Sequence, residues 1–141
     1  MLSNSAKYGI RALLWLSSQP CGQFVSLERI AAEAGVPHPY LAKVIKALAR
    51  KKILVTKKGL NGGACIRPRR KSLHFLDVCI AMNDPIVRDV CVLSRKRCGG
   101  KSCCSFHQSW KMARQNMIEF LKAQELKCQN PARQRIVPDF A

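Results

Sequence analysis

Acidic residues are scarce in this chain. Its 141 residues hold 8 Asp or Glu against 25 Lys or Arg, a formal net charge of +17. So few carboxylates offer no pair at catalytic spacing, and no nucleophile–base pair stands in for them, so an enzyme is not expected. Long apolar runs are lacking too. Residues 12–16 (ALLWL) follow Lys7 and Arg11, but five apolar residues are too few for a signal-peptide core. No other stretch reads as a membrane span. A cytoplasmic location is expected, where thiols stay reduced. The eight cysteines then argue for metal or redox chemistry, not for a disulfide scaffold.

What is abundant is positive charge, and it is clustered. No acidic residue occurs between Glu33 and Asp77, whereas eleven Lys or Arg do. A face that only needed solvation would mix signs. The balance points to a polyanionic partner, double-stranded DNA first, with an anionic membrane surface the weaker alternative.

The periodicity supplies a scaffold for such a partner. Residues 5–18 form a first helix that is apolar nearly all round. Ser26 caps a second helix, Leu27–Ala34, which Gly35 stops. A third helix follows from about Pro37 to Lys52, with Leu41, Val44, Ile45 and Leu48 inward. Two short helices joined by a tight glycine turn are a helix-turn-helix signature, in which the start of the second helix meets base edges. Those residues are His38, Tyr40, Ala42, Lys43 and Lys46.

Residues 53–67 read as a β-hairpin, with strands at Ile53–Lys57 and Ala64–Arg67 around Gly59-Leu60-Asn61-Gly62-Gly63. A helix-turn-helix followed by a hairpin is a winged helix, and Lys57, Lys58 and Asn61 fall at the wing. The glycines fit neither the P-loop nor the dinucleotide fingerprint, and no small-molecule substrate is evident. Arg67, Arg69, Arg70 and Lys71 are a basic run that adds phosphate contacts or a solvated loop. Leu73–Met82 forms a further helix or half-buried connector, with Leu73, Leu76 and Ile80 as its apolar stripe and Asp77 outward. Cys65 and Cys79 are expected in the core as small hydrophobes. Cys21, in a turn, and Cys128, near the tail, are not evident ligands.

Residues 91–107, CVLSRKRCGGKSCCSFH, concentrate four cysteines and a histidine. Six residues separate Cys91 from Cys98, five separate Cys98 from Cys104, and His107 follows after two. Thiolates with an imidazole suit zinc or an iron–sulfur cluster. The wide first gap disfavours a structural zinc site, whose ligands come in close pairs. Basic neighbours Arg95, Lys96, Arg97 and Lys101 favour thiolates. Beyond this loop, Phe106, Trp110, Ala113, Met117 and Phe120 step by four and three along a long helix, roughly Cys104–Leu126, the seam of a coiled coil. Leu121 broadens it, and pairing with a second copy is expected.

The chain is mainly α with a small β-hairpin: a winged helix-turn-helix domain plus a long dimerisation helix. Residues 1–82 form the DNA-binding domain, 83–103 the cysteine-rich cluster-binding loop, 104–127 the dimerisation helix and 128–141 a flexible tail. This order resembles the IscR/NsrR kind of bacterial winged-helix regulator, the Rrf-two superfamily. The residues that carry the resemblance are Tyr8-Gly9-Ile10-Arg11-Ala12-Leu13, Ile30-Ala31, Tyr40-Leu41, Gly59 with Asn61-Gly62-Gly63, and Asp77-Val78, then the loop and long helix.

The resemblance implies a homodimeric transcription factor on a promoter operator that senses cluster supply, redox state, nitric oxide or iron. It also implies a [2Fe-2S] cluster on Cys91, Cys98, Cys104 and His107, as in the IscR branch. Cys103 is the alternative third thiol. Lys7 stands where the NsrR branch carries an acidic ligand, and Ala42 where the IscR branch has a glutamate. The first cysteine gap is one residue longer than is usual in the IscR branch. The competing readings are a cluster-free thiol or zinc-dependent regulator, and a winged-helix module gripping RNA or a protein.

Overall fold

A computed structural model describes residues 2–70, 72–94, 96–97 and 104–128. The chain begins with α1, Asn4–Ser17, whose first turn is capped by the Ser3 hydroxyl accepting from the Ala6 amide. Ala6, Ile10, Leu13, Trp15 and Leu16 are buried, so α1 is the central rod of the core, as its all-round apolarity predicts.

Helix α2, Leu27–Ala34, has the bounds and caps that the sequence predicts. Ser26 accepts from the Arg29 amide, and Gly35 takes the left-handed conformation at φ 59°. The Arg11 guanidinium adds a second cap from outside, donating to the carbonyls of Ala34 (3.0 Å) and Gly35 (2.7 Å). A cation at those unsatisfied carbonyls also opposes the negative end of the helix dipole. Helix α3, His38–Arg50, buries Leu41, Val44, Ile45 and Leu48, the four residues expected. It ends earlier than expected. Lys52 turns left-handed at φ 57°, and the Ile53 amide closes the helix end on the Leu48 carbonyl at 2.9 Å. Ile53, although β-branched, is therefore a buried linker, not the first strand residue.

The wing is an antiparallel pair, β1 Leu54–Lys57 and β2 Gly63–Ile66, in register from Leu54↔Ile66 to Lys57↔Gly63. Its other edge is not left open. Val25, just before α2, exchanges backbone hydrogen bonds with Ala64 at 3.0 and 2.8 Å. The wing is thereby bonded to the helix-turn-helix and not merely appended.

Helix α4, Phe75–Ala81, packs on α1 and α3. The expected stripe is corrected here: Val78 and Cys79 face the core, while Ile80 is 49% exposed and Leu76 half-buried. The cause lies on α1. Gly9 lets α4 approach so closely that a Cβ there would sit 2.7 Å from Val78 Cγ1, which fixes the rotation of α4 with Val78 inward. Asp77 is not simply outward. Its carboxylate accepts from the His74 amide at 2.7 Å and caps the helix.

Asp84 follows α4 and is fully buried. It accepts from the Ser3 amide (2.8 Å), the Ser3 hydroxyl (2.6 Å) and the Ile86 amide (2.9 Å), the last at the start of a 3₁₀ turn, Pro85–Val87. Helix α5, His107–Ala123, is shorter than the expected 104–126. Leu121 is fully buried and His107, Arg114 and Ile118 are half-covered. Phe106, Ala113, Met117 and Phe120 of the predicted seam stay exposed. The chain after α5 returns to the body, where Leu126 donates to Leu73 (2.6 Å) and Phe75 donates to Gln124 (3.1 Å). The tail expected from 128 onward lies outside the described residues beyond Cys128.

Removing the Asp84 carboxylate would strand three donors in the interior. Asp84→Ala should lower unfolding free energy by about 2–4 kcal/mol, read from urea midpoints at constant m. Ser3→Ala, which removes one of the three donors and a cap, should cost less.

Candidate nucleic-acid interface and cysteine loop

Three elements meet at one face. The outward side of α3 carries Ala42, Lys43 and Lys46, all exposed because Leu41, Val44 and Ile45 take the inward positions. The start of α2 and the wing flank it. Between them lies an open groove of about 470 Å³ lined by Ser26–Glu28, Ala42, Ile45, Lys46, Ala49 and wing residues from Thr56 to Gly63. Lys46, Lys57 and Lys58 thus share one groove, although ten residues of sequence separate the first two. Asn61 is exposed at the wing tip with φ 59°, beside a Leu60 that is 93% exposed.

The two other sequence-predicted side chains sit at the entrance of α3. The His38 imidazole lies 3.7 Å from the Glu28 carboxylate, both half-exposed or more, a geometry of small energetic weight. Tyr40 is 55% exposed, and its ring meets Tyr8 of α1 at 5.9 Å between centroids. Glu28 was not anticipated from sequence. It is the acidic group in an otherwise basic groove, and only the tertiary placement of α2 beside the wing reveals it.

In the basic run after the wing, expected as phosphate contacts or a solvated loop, two arginines take backbone partners. Arg67 and Arg70 both turn to the Lys52 carbonyl, at 3.1 and 3.4 Å, and Arg70 also reaches Ser72 (3.0 Å) and Asp77 (3.7 Å). They brace the end of α3 against the start of α4.

The wing depends on glycine at two places. Gly63 has φ 135°, and a Cβ there would overlap the Val25 carbonyl oxygen. A Cβ at Gly62 would overlap the Lys57 carbonyl. The first is the close approach that the bonds between Val25 and Ala64 require, and the second belongs to the tight turn of the wing itself.

At the other end of the body, the loop after the 3₁₀ turn is held at both ends. A Val90↔Arg97 bridge and the Cys91 amide donating to Lys96 (3.0 Å) pinch its first half. The Leu93 amide also points at Cys91 Sγ (3.4 Å). Cys91 is half-buried and Cys104 exposed. His107 opens α5, its amide donating to the Cys104 carbonyl at 3.0 Å. The Trp110 indole N–H donates to the Val90 carbonyl at 3.2 Å. Arg114 donates to the Ile86 carbonyl at 2.9 Å and lies 3.7 Å from Asp89. The residue before Cys91 is therefore clipped to the helical turn that begins at His107.

Cys98 and Cys103 lie outside the described residues, and among the described residues no three His, Cys, Asp or Glu converge on a metal-sized space. The donors that are described fit an iron–sulfur cluster in kind: soft sulfur from Cys91 and Cys104 and an imidazole from His107, on an accessible loop. Cys65 and Cys79 are in the core as expected. Burial raises both thiols, Cys79 to about 11 with Asp84 adding to the effect, so neither offers a thiolate.

Comparison with known proteins extends the picture to nearly the whole chain. The family described as Rrf2, iron-dependent transcriptional regulator, matches residues 2–128. An HTH-type transcriptional regulator of Aquifex aeolicus is 24% identical over 129 residues, covering 90% of this chain and 89% of its own length. The fold is similar to that of T. potens IscR, with a TM-score of 0.69 and 19% identity over 89% of this chain and 82% of that one. It is equally similar to CymR, the global cysteine regulator of B. subtilis, with a TM-score of 0.71 and 18% identity over 91% and 94%.

The glycine analysis separates two wing positions. Gly63→Ala should destabilise the protein by about 2–3 kcal/mol, since the new Cβ meets rigid backbone at a strained φ. Gly59→Ala has open space around it and only its positive φ to strain it, so it should cost about 1 kcal/mol. Urea unfolding of the two variants side by side checks the difference.

Proposed function

The chain belongs to the Rrf2 family of transcriptional regulators, and we propose that it binds operator DNA as a homodimer whose affinity is set by an iron–sulfur cluster on the Cys91–His107 loop. Cys91, Cys98, Cys104 and His107 would hold a [2Fe-2S] cluster, with Cys103 the alternative third thiol. When bound, the cluster supplies a redox- and nitric-oxide-sensitive tie across the loop.

The observation that carries the reading is the hydrogen bond from Trp110 to Val90. It joins the Cys91 side of the loop to the first turns of α5, where His107 stands. Arg114 extends the link to the 3₁₀ turn through Ile86. Any change in how the loop is held is therefore passed to α5. That helix presents Phe106, Met117 and Phe120 to solvent. An apolar stripe of this kind on a basic protein is suited to a second copy, and a change in α5 would alter the spacing of two reading helices. The basic residues act at the other face. Lys43, Lys46, Lys57 and Lys58 would neutralise phosphates, with His38, Tyr40 and Asn61 nearest the bases. Regulation of this kind needs only a few-fold to a hundred-fold difference in affinity between the two loop states, about 1–3 kcal/mol.

Three measurements test the three parts. An anaerobic ultraviolet–visible spectrum with iron and sulfide analysis should give cluster absorption with two irons per chain, altered in His107→Ala. A colourless, iron-free protein that resists reconstitution sinks the cluster and leaves a thiol or zinc regulator. Replacing Met117 and Phe120 together by Glu should shift sedimentation from dimer to monomer, while an unchanged dimer places the interface elsewhere. For DNA, the slope of log affinity against log salt should fall by about 0.9 for each lost phosphate contact, so by roughly 1.8 in Lys46→Ala/Lys58→Ala. A slope equal to that of the unmodified protein rules these lysines out as phosphate contacts.

A further inference from the structure

A second pair of sulfurs, remote in sequence from the loop, comes together beside the run that follows the wing. Cys21 lies in the turn after α1, and Cys128 lies in the segment that returns from α5. The two line one cavity of about 630 Å³, together with Arg67, Arg69, Arg70 and Glu125. Cys21 is among the groups that hold the Cys128 thiol up, through a side-chain hydrogen bond. Cys21 is exposed and Cys128 half-buried.

We propose that Cys21 and Cys128 are a reversible oxidation site that takes a hydroperoxide and closes to an intrachain disulfide.

The division of labour follows from the surroundings. Burial, the hydrogen bond to Cys21 and the sulfurs of Cys21 and Cys65 push the Cys128 thiol up to about 12. Cys128 therefore keeps its proton and donates it toward Cys21, and the exposed Cys21 sulfur is the one that meets the oxidant. In the first step the Cys21 sulfur attacks a peroxide oxygen. The S–O bond forms, the O–O bond breaks, and the leaving hydroxide takes the Cys21 thiol proton to depart as water. In the second step the Cys128 sulfur attacks the Cys21 sulfenic sulfur. The S–S bond forms, the S–O bond breaks, and the Cys128 proton leaves with the hydroxide as a second water. Two thiols lose two electrons and two protons, and the peroxide is reduced to water. The arginines lining the cavity place positive charge where hydroxide departs.

Cys65, buried in β2 with its thiol raised by burial, stands behind the pair and takes no part. The bond would tie the turn that leads into the helix-turn-helix to the segment leaving α5, the two parts whose relative placement matters to a paired DNA reader. It needs no cluster, and its outcome is independent of the loop's.

The test uses the full-length protein, reduced, desalted without oxygen, treated with hydrogen peroxide, alkylated and digested for mass spectrometry. The expected product is a Cys21 peptide joined to a Cys128 peptide, two hydrogens lighter than the separate thiols and released by dithiothreitol. Cys65→Ser should leave its yield unchanged. Cys128→Ser should leave Cys21 as a sulfenic acid that dimedone traps. The proposal is overturned if both peptides are recovered fully alkylated at a peroxide dose that oxidises the loop cysteines. It is also overturned if Cys21 or Cys128 is recovered joined to Cys65 or to a loop cysteine instead. Absence of the dimedone adduct in Cys128→Ser would overturn Cys21 as the attacking sulfur.

Discussion

The architecture turns on one buried carboxylate. Asp84 sits with no exposed surface between the first residues of α1 and the 3₁₀ turn, and it is satisfied by three donors from Ser3 and Ile86. A charge in that position is tolerated only while its partners hold still, because desolvation without hydrogen bonds costs several kcal/mol. Ser3 is at the same time the cap of α1, so one side chain fixes both the start of the central helix and the exit of α4. From Ile86 the constraint passes on. Its carbonyl takes the Arg114 guanidinium, and four residues later Val90 takes the Trp110 indole. The start of α1, the cysteine loop and α5 are thus joined by a chain of bonded groups, not by packing alone.

Helix α5 has two apolar stripes, and that resolves an ambiguity in its sequence. At 100° per residue, Phe106, Ala113, Met117 and Phe120 share one face, whereas His107, Arg114, Ile118 and Leu121 share the neighbouring face. The second face is the one the chain itself covers, through Leu121 and the bonds of Arg114. The first is exposed. Folding back uses one face of α5 and leaves the other, with Met117 and Phe120, exposed.

How much of this was legible in the sequence depended on the range of the interaction. Helix α2 was legible to the residue because its signals are local: a serine cap, four inward residues at i, i+3, i+4 and i+7, and a terminal glycine. The core of α3 and the presence of a hairpin after it followed from the same short-range rules. Ile80 was misread because its orientation is decided on another helix, by the missing side chain of Gly9 against Val78. Asp84 read only as a stop before Pro85, since nothing local announces that a carboxylate will be buried beside residue 3. Lys46 with Lys57 and Lys58 could be named one by one, but Glu28 in their groove could not, nor could the Lys52 carbonyl that Arg67 and Arg70 share. Cys21 and Cys128 are the extreme case, since no periodicity links a turn after the first helix to a segment after the last.

Sulfur chemistry in this chain is sorted by solvent and charge. Cys65 and Cys79 sit where a thiolate is penalised, and the nearby Asp84 carboxylate reinforces that for Cys79. They behave as small hydrophobes and could be exchanged for others of their size. Cys91 is half-buried and Cys104 exposed, on an accessible loop whose sequence neighbours include Arg88, Lys96 and Arg97. Cys21 and Cys128 match neither set, one being open to solvent and the other half-buried with its thiol pushed up to about 12. The eight acidic residues complete the pattern. Asp84, Asp77 and Asp89 are committed to a buried junction, a helix cap and the Arg97 and Arg114 side chains. With its carboxylates so few, the chain sets Lys46, Lys57 and Lys58 against Glu28 in the groove and leaves the loop rich in Lys and Arg, so a single compositional bias marks both.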